Sequence, residues 1–283
     1  MVQSINRSRA PKEVLQQIDL AKAIADQEQS VATGKRFTKP SQDPQAWLEI
    51  SSLGRFQTDE AAWKSNIGRA ETRASQAEAS FDAMSSGITR ARELLVLASN
   101  GTLTDADRAG LAIELEGIAK DISDLAGQRD SFGGALFSAG SAIAVPIGNN
   151  RRVVAAPSLD AVTQGIDIGG GATASLDDIM AALVAAVKTG TDADRAAQLP
   201  ALDGALDHVT GLLTKQGVAR NTLEQTGDQL AQNKVSLAER RSQLEDVDVT
   251  EAISQSKSLL TNLQAAQAVY AKVSENILLD YLR

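Results

Sequence analysis

The sequence predicts a mainly α protein: an elongated helical bundle with coiled-coil helices at its N- and C-terminal ends and a small β-containing mid-chain insertion. Apolar residues repeat in heptads at both ends of the 283-residue chain, and this spacing keeps one stripe on one face of a helix. No proline occurs between 45 and 145 or after 200, so long helices are permitted there. Nine of the 21 glycines fall between 127 and 171, which indicates turns in the middle.

The helices at the two ends each carry an apolar stripe. The C-terminal stripe, spaced alternately by four and three residues, consists of Leu259, Leu263, Ala266, Tyr270, Val273 and Ile277. The N-terminal stripe has the same spacing and consists of Val14, Ile18, Ala21 and Ala25. A single helix cannot bury its own stripe. The two ends are therefore predicted to pair with each other, with another subunit, or with both.

Helix-start and helix-stop residues divide the first half of the chain. Gly34 can end a helix, and Asp43 followed by Pro44 can begin the next one. Thr104, followed by an acidic first turn, begins a third helix. These signals predict helices over 11–32, 44–98 and 105–130.

The glycine-rich middle is predicted to be an insertion of strands and loops over 132–174. The β-prone pieces are Ala142–Ile147, Arg152–Ala155 and Gln164–Ile168, and Gly169–Gly171 is expected to form a turn. Helices follow over 176–189, from Thr191 towards Pro200, and over 201–245, with a joint at Val247–Val249.

Three domains are predicted from this order of elements. Residues 1–43 with 247–283 form a terminal coiled-coil assembly domain, and residues 44–131 with 201–246 form a helical core domain. Residues 132–200 form a variable insertion domain, with strands followed by short helices. The two ends of the chain must come back together, because each stripe needs an apolar partner.

Composition excludes several classes of protein. The net charge of −8 and the absence of a long basic run disfavour nucleic-acid binding. There is no cysteine, which excludes disulfides and thiolate chemistry. No apolar run is long enough to span a membrane, so no membrane insertion is expected. The N-terminal residues lack the apolar region of a secretory signal peptide.

Catalytic signals are poor. His208 is the only histidine, so a zinc site with two histidines is impossible. The aspartate pairs Asp105/Asp107 and Asp177/Asp178 lie at predicted helix starts, where helix capping explains them better than acid–base chemistry. Gly169–Gly171 lacks the Lys-Ser/Thr that follows in a phosphate-binding loop. We therefore predict no enzyme, no cofactor and no metal site.

Several segments resemble the bacterial flagellin superfamily. The break at 31–44, with Gly34-Lys35-Arg36 and Pro40-Ser41-Gln42-Asp43-Pro44, is similar to that of the superfamily's hook–filament junction branch. Further similar segments are Thr89–Leu94, Ala98–Thr102 with Asp107-Arg108, Gln216–Asn221, Leu263–Val269 and Ala271–Leu282. The resemblance covers roughly 14–135 and 205–283. It departs at the first ten residues and at Gln42, where the branch often has an acidic residue.

The resemblance implies an extracellular structural subunit of the bacterial flagellum, exported unfolded through the flagellar type III channel without a cleaved signal peptide. It implies a homo-oligomeric ring or helical turn between hook and filament, in contact with flagellin and other hook-associated proteins, and an export chaperone. The predicted assembly interface comprises Val14, Ile18, Ala21, Leu259, Leu263, Ala266, Tyr270, Val273 and Ile277.

Two alternatives remain open at this point. The chain could be a short flagellin that forms the filament itself, although the Pro40–Pro44 break and the ending at Ser274–Leu282 favour the junction. It could also be a surface binding module whose insertion at 132–174 recognises a glycan or a host receptor.

Overall fold

The computed structural model describes residues 9–281, with side chains described for residue 12 and residues 14–272, and it is mainly helical. The helices are α1 (Arg9–Thr33), α2 (Pro44–Ala98), α3 (Asp105–Ala126), α4 (Leu159–Thr163), α5 (Leu176–Thr189), α6 (Asp192–Ala196), α7 (Leu199–Glu245) and α8 (Val249–Tyr281). The strands are β1 (Ala144–Pro146), β2 (Arg152–Val154), β3 (Ile166–Gly169) and β4 (Ala172–Ala174). The mainly α class with a β-containing mid-chain insertion is confirmed.

The helix ends follow the predicted capping residues. The Asp43 carboxylate accepts a hydrogen bond from the Ala46 backbone N–H at 3.0 Å, ahead of Pro44 in the first turn. Thr104 and Asp107 form a reciprocal capping box at the start of α3. Gly34 ends α1 with a φ of +69°, a conformation that favours glycine. Helix α3 stops at Ala126, short of the predicted 130, because Gly127 caps it.

The insertion contains two short antiparallel hairpins among the described residues. In the first, β1 pairs with β2, with Val145 opposite Val153. In the second, β3 pairs with β4 around Gly169–Gly171, whose φ angles of +91°, +65° and +80° require glycine. The predicted turn is confirmed, whereas β4 and the short helix α4 were not predicted. Pro200 lies in the first turn of α7, where a missing N–H costs little.

Two compact units divide the chain, and each is described by itself. The terminal unit comprises Met1–Thr58 and Lys234–Arg283, and the central unit comprises Asp59–Asn233. The three-domain division made from the sequence stays a prediction.

The core of the central unit is built on one face of α2. The buried residues of that face alternate at spacings of three and four, and they are Ile67, Ala70, Ala74, Ala77, Phe81, Met84, Ile88, Ala91, Leu95 and Ala98. The Phe81 ring stacks on Phe137, with ring centroids 5.3 Å apart. From Ala77 onwards this face packs with buried residues of α3, α5 and α7, including Leu115, Leu183 and Leu202. Ile67, Ala70 and Ala74 belong to a second cluster, which also contains Ile147, Ala155, Leu223 and Leu230. The apolar repeat of α2 is thus covered by helices and loop residues of the same unit.

A glycine lets the second hairpin lie directly on α7. A Cβ atom at Gly204 would overlap the Asp167 carbonyl oxygen. Only a residue without a side chain permits this approach of backbone to helix.

Candidate assembly surface

The terminal unit is organised around the pair of helices α1 and α8. The last turns of α1 lie against the first turns of α8, so the two helices run antiparallel. The Gln27 side-chain amide donates to the Ala252 carbonyl and to Gln255 Oε1, both at 3.4 Å. Ile24 is buried on α1 and Ala252 is buried on α8. The two ends of the chain therefore pair within one molecule.

The C-terminal stripe predicted from the sequence is the half-buried face of α8. Leu259, Leu263, Ala266 and Tyr270 are half-buried, while the residues between them are exposed. Val273 and Ile277 lie in the last turns of α8, outside the residues whose side chains the structure describes.

The N-terminal stripe predicted from the sequence lies on an exposed face of α1. Val14 is 40% exposed, Ile18 is 57% exposed, and Ala21 is also exposed. A less exposed face of α1 has the same spacing in another register and consists of Gln17, Leu20, Ile24, Gln27 and Val31, with Asp26 and the buried Ser30 beside it. Because two of these five are glutamines, the stripe of apolar residues alone did not identify this face.

Both helices consequently have an apolar surface that no described residue buries. On α1 this surface includes Val14, Leu15 and Ile18. On α8 it includes Ile253 and Leu260, which are 42% and 40% exposed. Each helix thus has one face that packs against its partner and a second, exposed face with apolar residues that a further helix could cover.

A short backbone seam joins the two breaks that flank this helix pair. The Arg36 N–H donates to the Glu245 carbonyl at 2.7 Å, and the Val247 N–H donates to the Gly34 carbonyl at 3.0 Å. Lys35 and Asp246 lie opposite each other between these two bonds in an antiparallel bridge. The seam fixes the point from which α1 and α8 leave together.

Ionic contacts reinforce the seam. The Glu245 carboxylate accepts from Arg241 at 2.7 Å and pairs with Lys35, and its side chain is only 13% exposed. These hydrogen bonds, from Lys35 first and then Arg241, hold the pKa of Glu245 below its usual value. Sequence reasoning missed Glu245, because its partner Lys35 is more than 200 positions away.

The loop between α1 and α2 is held from both sides. Phe37 is buried, and its ring centroid lies 6.5 Å from that of Trp47. Gln42 Oε1 accepts hydrogen bonds from the backbone N–H of Thr38 at 2.7 Å and of Lys39 at 3.1 Å. The side-chain oxygen of Gln42 therefore accepts the hydrogen bonds that the carboxylate of an acidic residue could accept at this position.

The described residues offer few candidates for a catalytic, membrane-spanning or metal-binding role. Nε2 of His208 lies 3.0 Å from the carbonyl oxygen of Ala161 in α4. This contact joins α7 to α4 and is structural. Within residues 9–281, no helix is both long and apolar enough to cross a membrane. The described side chains include no group of three metal-ligating residues.

Comparison with known proteins places these helices in a family. The family model described as "Bacterial flagellin N-terminal helical region" matches residues 10–142. The model described as "Bacterial flagellin C-terminal helical region" matches residues 199–282. Flagellar hook-associated protein 3 of Escherichia coli strain K12 is 26% identical over 277 residues, covering 86% of this chain and 87% of that protein.

Solved structures share the fold. Flagellar hook-associated protein-3 from Legionella pneumophila has a TM-score of 0.62 at 12% identity, covering 69% of this chain and 98% of that one. The flagellar junction protein FlgL from Legionella pneumophila has a TM-score of 0.55 at 12% identity, covering 70% of this chain and 100% of that one. Residues 143–198 lie between the two matched segments, and they contain the four strands and helices α4, α5 and α6. The chain therefore belongs to the bacterial flagellin family.

Proposed function

We propose that this chain is a structural subunit of the bacterial flagellum that joins the hook to the filament and assembles through its paired terminal helices. The observation that carries the proposal is the two-sided character of α1 and α8. One side of each helix faces its partner in the same molecule, and apolar residues on another side stay exposed. Covering such a surface with helices of neighbouring copies would bury apolar area and drive assembly.

The relatives favour the junction over a short flagellin that forms the filament. The Escherichia coli and Legionella pneumophila relatives are named as hook-associated or junction proteins. The partners proposed here are further copies of this chain, flagellin and other hook-associated proteins, with an export chaperone before assembly. The place of action is the extracellular flagellum, and no catalytic role is proposed.

A charge placed in the half-buried stripe tests the assembly mechanism. We expect Leu263→Asp to abolish incorporation into flagella in a strain that lacks the natural gene, because a carboxylate would then face the helix partner. Purified Leu263→Asp protein should remain soluble and helical, since the core of the central unit is unchanged. Gln264→Asp, at an exposed neighbouring position, is the matched control and should incorporate normally.

Immunogold electron microscopy of the same flagella gives the location. An antibody against residues 132–174 should label a single narrow band between hook and filament. Label along the whole filament would instead identify a filament-forming flagellin.

Normal incorporation of the Leu263→Asp protein into flagella would refute the role of the half-buried stripe in assembly.

A further inference from the structure

Phe132 is an exposed aromatic residue on a loop that the central unit holds in one conformation. Its side chain is 69% exposed, in the turn that follows α3. An exposed phenylalanine loses the benefit of burial in the isolated chain, so its surroundings indicate whether a partner covers it.

The carboxylate of Asp130 fixes this loop. Asp130 Oδ1 accepts hydrogen bonds from the backbone N–H of Phe132 and of Gly134, both at 2.9 Å. Arg73 Nη1 donates to Asp130 Oδ2 at 3.0 Å, and the carboxylate is only 7% exposed. Because three donors hold one buried carboxylate, the loop is built around it.

Backbone hydrogen bonds add to this constraint. The Asp130 N–H donates to the Gly134 carbonyl at 2.7 Å, and the Gly133 N–H donates to the Asp130 carbonyl at 3.0 Å. Gly133 has a φ of +84°, which closes the turn. The loop therefore presents Phe132 without further ordering, and preorganisation lowers the cost of binding.

One arginine lies over the Phe132 ring, and a second is hydrogen-bonded to the loop that carries it. The Arg69 guanidinium carbon lies 5.9 Å from the centroid of Phe132, and Arg129 Nη1 donates to the Gly133 carbonyl at 2.8 Å. Among the described side chains, neither arginine lies within ion-pair distance of a carboxylate. The patch thus combines an aromatic anchor with two positive charges that have no ionic partner there.

We infer that Phe132, Arg69 and Arg129 form a contact site for an acidic surface of a second copy of this chain. Charge complementarity supports this occupant, because the chain has 36 acidic residues against 28 basic ones. Exposed aromatic and arginine residues are also the usual anchors of protein interfaces. The inference rests on the proposed function, since it names a self-contact of the assembling subunit outside the terminal helices.

Photo-cross-linking identifies the occupant directly. A photoreactive phenylalanine analogue replaces Phe132 in the full-length chain. In a control variant of the same chain the analogue replaces Ile113, which is 70% exposed on α3. In isolated flagella and in concentrated, low-salt purified protein, position 132 should give an adduct of two copies, and position 113 should not. A cross-link only to a different flagellar protein, or no cross-link at 132, would overturn the inference.

Substitutions measure the contribution of the patch. We expect Phe132→Ser to weaken self-association by about tenfold, the loss usual for an interface anchor, and Phe132→Leu to retain most of it. Asp130→Ala should weaken it too, although Phe132 is still present, because the loop is no longer held. If Phe132→Ser associates like wild type, or Ile113→Ser weakens association equally, the patch is not a specific contact.

The two proposals can fail separately. Wild-type protein absent from the hook–filament junction would refute the proposed function, and the purified protein would still decide the contact. If the protein forms a band at the junction but the analogue cross-links two copies no more at position 132 than at position 113, only the proposed contact is refuted.

Discussion

In the central unit the apolar repeat of α2 is fully buried, whereas in the terminal unit the apolar repeat of α8 is half-buried and that of α1 is exposed. Phe81, Met84 and Leu95 have no exposed surface, while Leu259 and Leu263 have the same heptad spacing and keep part of theirs. The difference is the number of covering elements: α2 packs with several helices and several loop residues, whereas α8 packs with α1. Equal periodicity thus gives a fully buried core in one region and a partly exposed apolar face in the other.

Phe81→Ala should produce the largest loss of stability. Removing a fully buried ring that stacks on Phe137 leaves a cavity, which costs about 3–5 kcal/mol. Leu263→Ala, the matched change in the half-buried stripe, should cost less than about 1 kcal/mol in the isolated chain. Urea unfolding followed by circular dichroism measures both variants. Similar losses for the two would show that the terminal pair is already packed like a core.

Gly204→Ala should have an intermediate effect, confined to the central unit. The added methyl group would overlap the Asp167 carbonyl, so the β3–β4 hairpin must shift, at a cost of about 1–3 kcal/mol. Gly211→Ala is the matched control on the same helix, because no atom lies within 4 Å of its added Cβ. Alanine there should stabilise the helix by up to about 1 kcal/mol.

Thermal unfolding of the two glycine variants should therefore move in opposite directions. If Gly204→Ala were neutral, the hairpin would not be held against α7, and the insertion would be looser than the core beneath it.

Local signals were sufficient to predict most helices of both regions. Asp43, Thr104 and Ser175 each cap the helix start that the sequence indicated. These residues act on N–H groups two or three positions away, so their effect is visible in a short segment. The flagellin resemblance was likewise carried by short segments, and the comparisons confirm it.

The face of α1 and the seam could not be predicted in the same way. The partner-facing register of α1 includes Gln17 and Gln27, so apolar periodicity favoured the exposed register of Val14 and Ile18. The pairing of Lys35 with Asp246 joins distant parts of the chain and uses backbone groups that every residue has. Tertiary contacts of this kind leave no pattern in either segment. The assembly role of the predicted stripes stays a prediction until incorporation is measured.

Glu245→Gln should give a smaller loss than Phe81→Ala, at the seam of the terminal unit. The charged carboxylate is bound by Lys35 and Arg241, and losing these charge-assisted bonds should cost about 1–2 kcal/mol at neutral pH. Glu239→Gln, an exposed change on the same helix, is the control. Hydrogen exchange at the Arg36 and Val247 amides is the measurement, because both donate across the seam.

The pH dependence of that difference shows whether charge is the cause. The pKa of Glu245 is held below its ordinary value of 4.5. The carboxylate therefore stabilises the folded seam above about pH 4.5, and this contribution is lost as the pH falls through the lowered pKa. Wild type should then lose amide protection on acidification and approach Glu245→Gln, which has no such titration. A gap between the two proteins that stays constant down to low pH would mean that the shape of the side chain, rather than its charge, holds the two breaks together.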